Sequence, residues 1–192
     1  MEIEAIIERY PKNKSLDGKD VVMRPLQPTD VRAFHEFFSA IPETERMFLK
    51  HRVTDIKLIR DWCKNIDYGR NLPLLAVVGN KIMGDATLHQ QLGGWRRHIG
   101  RMSVVVHPEF RGRGLAKLLA TELMRVARNL ALEQLEAEFM GDQQPARKLF
   151  ARLGFDELVV LTEYVKDMQA IPHDYVLMGK VIKTDEEFAG EG

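Results

Sequence analysis

Ser103-Val104-Val105-Val106-His107-Pro108-Glu109-Phe110-Arg111-Gly112-Arg113-Gly114-Leu115-Ala116 is the stretch whose reading decides the fold. It is an apolar strand that stops at Pro108, then a turn, then Arg-Gly-Arg-Gly opening a helix. That helix, Gly114 to Leu130, has the clearest pattern in the chain. Leu115, Leu119, Leu123, Val126 and Leu130 form one apolar stripe, with Lys117, Glu122, Arg125 and Arg128 mostly elsewhere. The first turn of a helix has free N–H groups and the positive end of the helix dipole. Gly112 and Gly114 let the backbone bend and approach a ligand, while Arg111 and Arg113 add charge that pairs with phosphate oxygens. A diphosphate here would be held mainly by main-chain donors. On the glycines alone, a plain strand-to-helix turn is an equal alternative. Two familiar phosphate loops are excluded: there is no Gly-x-x-x-x-Gly-Lys-Ser/Thr, and Lys117 stands where Gly-x-Gly-x-x-Gly needs its third glycine.

Upstream of this stretch, Val21-Val22-Met23 reads as a strand. Thr29 or Asp30 offers a helix cap, followed by Phe34, Phe37, Phe38 and Ile41 at helical spacing. A second helix runs from about Asp55 to Ile66. Leu74 to Val78 is a buried strand, Gly79-Asn80 a hairpin turn, and Ile82 to Leu88 the returning strand. Gly93-Gly94 marks another turn, and Arg101 to Val106 is the strand that enters the deciding stretch. Downstream, Leu135, Ala137 and Phe139 alternate as a strand, Pro145 to Leu153 is a short helix ended by Gly154, and Phe155 to Leu161 and Tyr175 to Ile182 are late strands. A strand meander followed by a strand-helix-strand crossover predicts a mixed sheet covered by helices. Such a sheet offers a ligand site where neighbouring strands part. Residues 1–20 are polar and are expected to form an arm on the domain, 21–183 the domain, and 184–192 a frayed acidic tail.

The chain has 192 residues, enough for one domain with a sizeable core. Lys plus Arg is 28 and Asp plus Glu is 28, which removes any global pull toward nucleic acid or an anionic membrane. Cys63 is the single cysteine, so there is no internal disulfide, a thiolate metal site is not expected, and no metal is assigned. The first residues, Met1-Glu2-Ile3-Glu4-Ala5, are acidic where a signal peptide is basic, and no apolar run approaches the length of a membrane span. A cytoplasmic protein is expected.

The deciding stretch resembles the cofactor motif of the GNAT superfamily of N-acetyltransferases. That family's Arg/Gln-x-x-Gly-x-Gly/Ala is present as Arg111, Gly114 and Ala116, preceded by Val106-His107-Pro108. A second block, Gln143 to Phe155, matches the family's Asn-x-x-Ala-x-x-Leu-Tyr followed by Gly-Phe, and Arg24-Pro25-Leu26 with Asp30 looks like its first strand and helix. The resemblance covers roughly Val21 to Ile182. It implies an α/β (α+β) fold with a mixed, mostly antiparallel central sheet splayed at the cofactor site and flanked by helices. It also implies acetyl-CoA as donor and a primary amine as acceptor. The diphosphate would sit on the amides of Arg111, Gly112, Arg113, Gly114, Leu115 and Ala116. The pantetheine arm would lie beside Val104, Val105 and Val106, near Gln143 and Phe150, with the Val106 N–H holding the thioester carbonyl. Dimers are common in such proteins, so a homodimer is among the expectations.

Three positions depart from the family. Phe150 replaces the tyrosine that protonates the leaving thiolate in many relatives, Gln143 replaces the asparagine, and Arg101 occupies the position where the protein-lysine branch often has a glutamate. No catalytic base is carried over. Glu43, Glu45, His107 and Glu138 are candidate substitutes, with a solvated or hydrogen-bonded surface role as the default for each. Tyr164 and Tyr175 are late enough to line a pocket, with core packing the default. Trp95-Arg96-Arg97-His98 reads as a solvated turn, with the cofactor's 3′-phosphate or an acidic substrate as the sharper alternative. The acceptor classes left open are a small amine and a protein lysine or N-terminus; a non-catalytic CoA sensor is the reading from another class.

Overall fold

The structure is a computed structural model that describes residues 2–182; the acidic tail lies outside them. A short helix α1 (Ile3–Ile7) leads into β1 (Lys12–Leu16) and β2 (Lys19–Pro25), and then come α2 (Val31–Ser39), α3 (Glu43–Arg46) and α4 (Ile56–Lys64). The meander β3 (Asn71–Val78), β4 (Lys81–Gln90) and β5 (Ile99–Val106) precedes α5 (Leu115–Asn129). The chain continues through β6 (Gln134–Met140), α6 (Gln144–Arg152), β7 (Asp156–Lys166) and β8 (Pro172–Val181). The sheet order is β1-β2-β3-β4-β5-β6-β8-β7, and its pairs are antiparallel except β5 with β6.

One apolar layer lies on each face of the sheet. On one face α5 and α6 pack through Leu115, Leu119, Leu123 and Phe150, together with Phe155 from the turn after α6 and Ile6 of α1. Gly84 lets α5 approach: a Cβ there would stand 2.7 Å from Leu119 Cδ1 and 3.2 Å from Leu115 Cδ2. On the other face α2 and α4 bring Phe34, Phe37, Phe38, Ile59 and Cys63 against Leu75, Val77 and Ile82.

Lys12 to Leu16, part of the stretch read from sequence as an arm, enter the sheet. β1 pairs with β2 from Lys12↔Met23 to Leu16↔Lys19 around an Asp17-Gly18 turn in which both residues have positive φ. Tyr10 Oη and Lys12 Nζ each donate to Glu122 Oε1 of α5 at 2.7 Å, with Arg125 on the same carboxylate at 2.6 Å. These contacts fasten the first strand to the helix that follows the deciding stretch. The Tyr164 side chain, expected in a core or pocket, is 69% exposed on β7, an edge strand whose residues are nearly all exposed.

Candidate active site

β5 leaves the sheet at Val106. His107 then caps a one-turn 3-10 segment, Pro108–Phe110, its Nδ1 accepting the Glu109 N–H at 3.3 Å, and Phe110 is buried beneath. Gly112 and Gly114 have φ of +72° and +83°, which disfavour any L side chain. A Cβ at Gly112 would meet nothing within 4 Å, and one at Gly114 only Leu16 Cδ1 at 3.9 Å. These glycines are therefore set by backbone conformation, and the space over the loop is open. Gly114 is the N-cap of α5, and the helix ladder begins with the Leu118 N–H donating to the Gly114 carbonyl at 3.0 Å. The amides before it lack helical partners. The two arginines expected to add charge are engaged elsewhere. Arg111 forks onto Glu45 at 2.8 and 2.7 Å and donates Nε–H to the Val106 carbonyl at 3.3 Å. Arg113 pairs with Asp17 and lies over the Phe110 ring.

Beside this loop the sheet parts. β5 pairs with β6 only at Ile99↔Gln134, Gly100↔Leu135 and Arg101↔Glu136. From there β5 stays on β4 as far as Val106↔Gly84, while β6 stays on β8 as far as Met140↔Tyr175. The His107 N–H donates to the Met83 carbonyl at 2.9 Å, so alternation along the antiparallel pair turns the Val104 and Val106 amides the other way, into the gap. A cavity of about 610 Å³ runs from this gap under α2 and α4. Val104, Val105, Gln143, Ala146 and Phe150 line its gap side. Gln143 Oε1 accepts the Met140 N–H at 2.9 Å, and Phe150 packs between Phe139 and Phe155 with ring centroids 5.2 and 5.0 Å away. Phe34, Phe38 and Trp62 form an aromatic wall opposite, so two of the three phenylalanines of α2 serve both the core and the cavity.

The floor of the cavity is polar. Asp85, Thr87 and His89 alternate along β4, opposite Val105, Ser103 and Arg101 of β5, with Glu136 and Glu138 on β6 and Lys50 from the loop after α3. Glu138 accepts from Lys50, from Arg101 Nη1 at 3.3 Å and from Tyr175 Oη at 3.1 Å. Burial raises its pKa, but the hydrogen bond and charge of Lys50 and the charge of Arg101 outweigh that and hold it below the usual carboxylate range. Tyr175 thus donates to a cavity residue from behind, without lining the cavity itself. Burial and the neighbouring Glu138 push its pKa up to about 12. Arg96 Nη2 donates to Glu136 at 2.5 Å. The basic turn around Arg96 therefore sits at the start of β5, the end opposite the glycine loop. That places it about 20 Å from a phosphate site at the loop, since a strand rises about 3.3 Å per residue. The 3′-phosphate alternative for this cluster is set aside.

His89 hydrogen-bonds through Nδ1 to Asn71 Oδ1 at 2.7 Å, and burial first, then Lys50 and Arg101, push its pKa down to about 4. Asp85 is 6% exposed, and its two oxygens receive the Thr87 hydroxyl at 3.2 and 3.4 Å. Burial pushes its pKa up to about 7. Of the sequence candidates, Glu138 lies in the cavity, already held by two cations and a phenol. Glu43 is exposed on α3 and His107 caps its turn against Phe37, and neither lines the cavity. Sequence reasoning missed Asp85, Thr87, His89 and Lys50. The signal for the first three was the alternation Asp85-Ala86-Thr87-Leu88-His89, which on a strand with solvent on one face means nothing, but which β4 turns into a polar row, buried at Asp85 and Thr87 and half-buried at His89. Among the described residues no cluster of His, Cys, Asp or Glu could hold a metal.

Comparison with known proteins agrees with this geometry. The family model described as acetyltransferase (GNAT) family matches residues 33–155. The L-amino acid N-acetyltransferase AaaT of Escherichia coli is 26% identical over 84 residues, 43% of this chain and 52% of that protein. The chain thus spans about half the length of the curated relatives it matches. The α-N-protein acetyltransferase RimL, solved with coenzyme A, superposes with TM-score 0.76 at 16% identity, covering 89% of this chain and 98% of the other. A ribosomal-protein-alanine N-acetyltransferase from Brucella melitensis gives 0.72 at 22%, covering 83% and 99%. With its splayed sheet, its glycine turn at the head of α5 and the match over 33–155, the chain belongs to the acetyltransferase (GNAT) family.

Proposed function

We propose that this chain transfers the acetyl group of acetyl-CoA to a primary amine of a small acceptor. The observation that carries this reading is the continuity of one cavity from the β5–β6 gap to the polar floor of β4, beside a glycine turn that leaves open space over Gly112 and Gly114 at the head of α5. Acetyl-CoA supplies an activated acyl carbon and a sulfur that leaves as a thiolate. The amides of Gly112 to Ala116 hold its diphosphate, and Arg111 and Arg113 contribute to the extent that an anion competes with Glu45 and Asp17. Val104 and Val106 offer main-chain N–H groups at the gap to the pantetheine arm and to the thioester carbonyl, where charge develops. Gln143 and Phe150 form the far wall. A cavity of about 610 Å³, shared by the arm and the acceptor, suits a small amine better than a protein surface.

The reading is tested by incubating the protein with acetyl-CoA and a panel of primary amines, amino acids among them, and following thiol release. Acceptor-dependent release is the expected outcome. Release that no amine accelerates, from a protein shown to bind acetyl-CoA, would count against transfer and favour a CoA-binding sensor.

A further inference from the structure

Every carboxylate on the cavity floor but one has a cationic partner among the described residues. Glu138 has Lys50 and Arg101, Glu136 has Arg96, and His89 is bound to Asn71. Asp85 has only Thr87 among the described residues. Its neighbours are otherwise apolar: Leu75 and Val105 are its register partners, and Phe34 and Phe38 line the same cavity from α2. The titratable groups of α2 face elsewhere, His35 toward the Thr54 carbonyl and Arg32 toward Glu36. A carboxylate in such a place costs stability unless something cationic comes to it. It also lies where a reacting amine must arrive. Asp85 is paired with Val105, the residue between the two amides that turn into the gap, and neighbouring strands lie about 4.8 Å apart.

Resting on the acetyl-transfer reading, we propose that Asp85, positioned by Thr87, is the catalytic base that binds the acceptor as its ammonium and takes its proton. The Asp85 carboxylate accepts one proton, leaving a neutral amine with a lone pair. The N–C bond forms to the acetyl carbon as the C–S bond breaks, the second amine proton goes to the departing sulfur, and Asp85 returns its proton to solvent. Glu138, saturated with donors, stays ionised and holds Arg101 and Lys50 in place. Asp85, whose pKa burial pushes up to about 7, is matched to accept and release a proton near neutral pH.

The test compares the full-length protein with Asp85→Asn, which keeps shape and removes the base. The expected result is a fall in kcat/KM of about 10²–10⁴-fold, with loss of the ascending limb near pH 7, and an acetyl-CoA affinity by calorimetry equal to the parent's. A variant that keeps the parent's rate and pH limb overturns the assignment. Parent protein that neither binds acetyl-CoA nor turns over any amine overturns the acetyl-transfer reading instead. A measurement independent of the acceptor is a carboxyl-carbon NMR titration, with the Asp85 signal identified by its absence in Asp85→Asn. Titration near pH 7, moved downward by n-butylammonium, is expected; titration in the ordinary aspartate range, or no response to the amine, contradicts the proposal.

Discussion

At position 85 a valine would pack well against Leu75, Val105 and the phenylalanines of α2, yet the chain places a carboxylate there with a single hydroxyl for company. This has a thermodynamic signature apart from catalysis. Folding raises the Asp85 pKa from 3.8 to about 7, so the folded state binds the extra proton between those values. Its cost is absent below about pH 4, grows as pH rises through the window, and levels off above about pH 7. Asp85→Asn lacks that cost. We predict that the variant is no more stable than the parent at pH 4 and more stable at pH 7.5, the gap widening by up to about 1.4 kcal/mol per pH unit inside the window. Thermal or denaturant unfolding at the two pH values measures it. A gap that does not change with pH would mean that Asp85 is ionised at ordinary pH and solvated.

Among the elements, the turn from β5 into α5 does the most with the least side chain. Gly114 is needed for its φ of +83°, and a side chain there projects into open space with Leu16 the nearest neighbour. Gly114→Ala and Gly114→Asp share the backbone strain, about 1–2 kcal/mol, and only the second places an anion over the helix N-terminus. We predict that both fold, that Gly114→Ala binds CoA more weakly than the parent, and that Gly114→Asp loses binding. Unchanged CoA affinity in folded Gly114→Asp would sink the loop assignment. This element was legible in the sequence because its signals are local: an apolar run ending at Pro108, two glycines, and a clear helical stripe. The meander, α2 and α6 were legible for the same reason. What stayed hidden depends on distant partners. β1 became a strand because Lys12 to Leu16 found the edge of β2, and Tyr10 and Lys12 found Glu122 more than a hundred residues away. The role of Asp85 was hidden because alternation reports a face without saying what covers it. Arg111 and Arg113 looked free in the sequence and are paired with Glu45 and Asp17 in the fold.

On the scale of the whole molecule, the sheet sorts two tasks to its two faces. α5 and α6 build the support on one side, and α2 and α4 roof a cavity on the other, with the gap between β5 and β6 joining them. The net charge of zero hides a local arrangement in which cations and carboxylates pair around the cavity and leave one carboxylate for an incoming cation. No helix among the described residues is long and apolar enough to cross a membrane. In the proposed function the splayed sheet and the glycine turn together receive acetyl-CoA. Calorimetric titration of the purified protein with CoA and acetyl-CoA tests it most directly. Saturable binding of both in the micromolar range is the predicted result. No heat of binding at millimolar ligand would contradict it, and the stretch from Arg111 to Ala116 would then be a turn and nothing more.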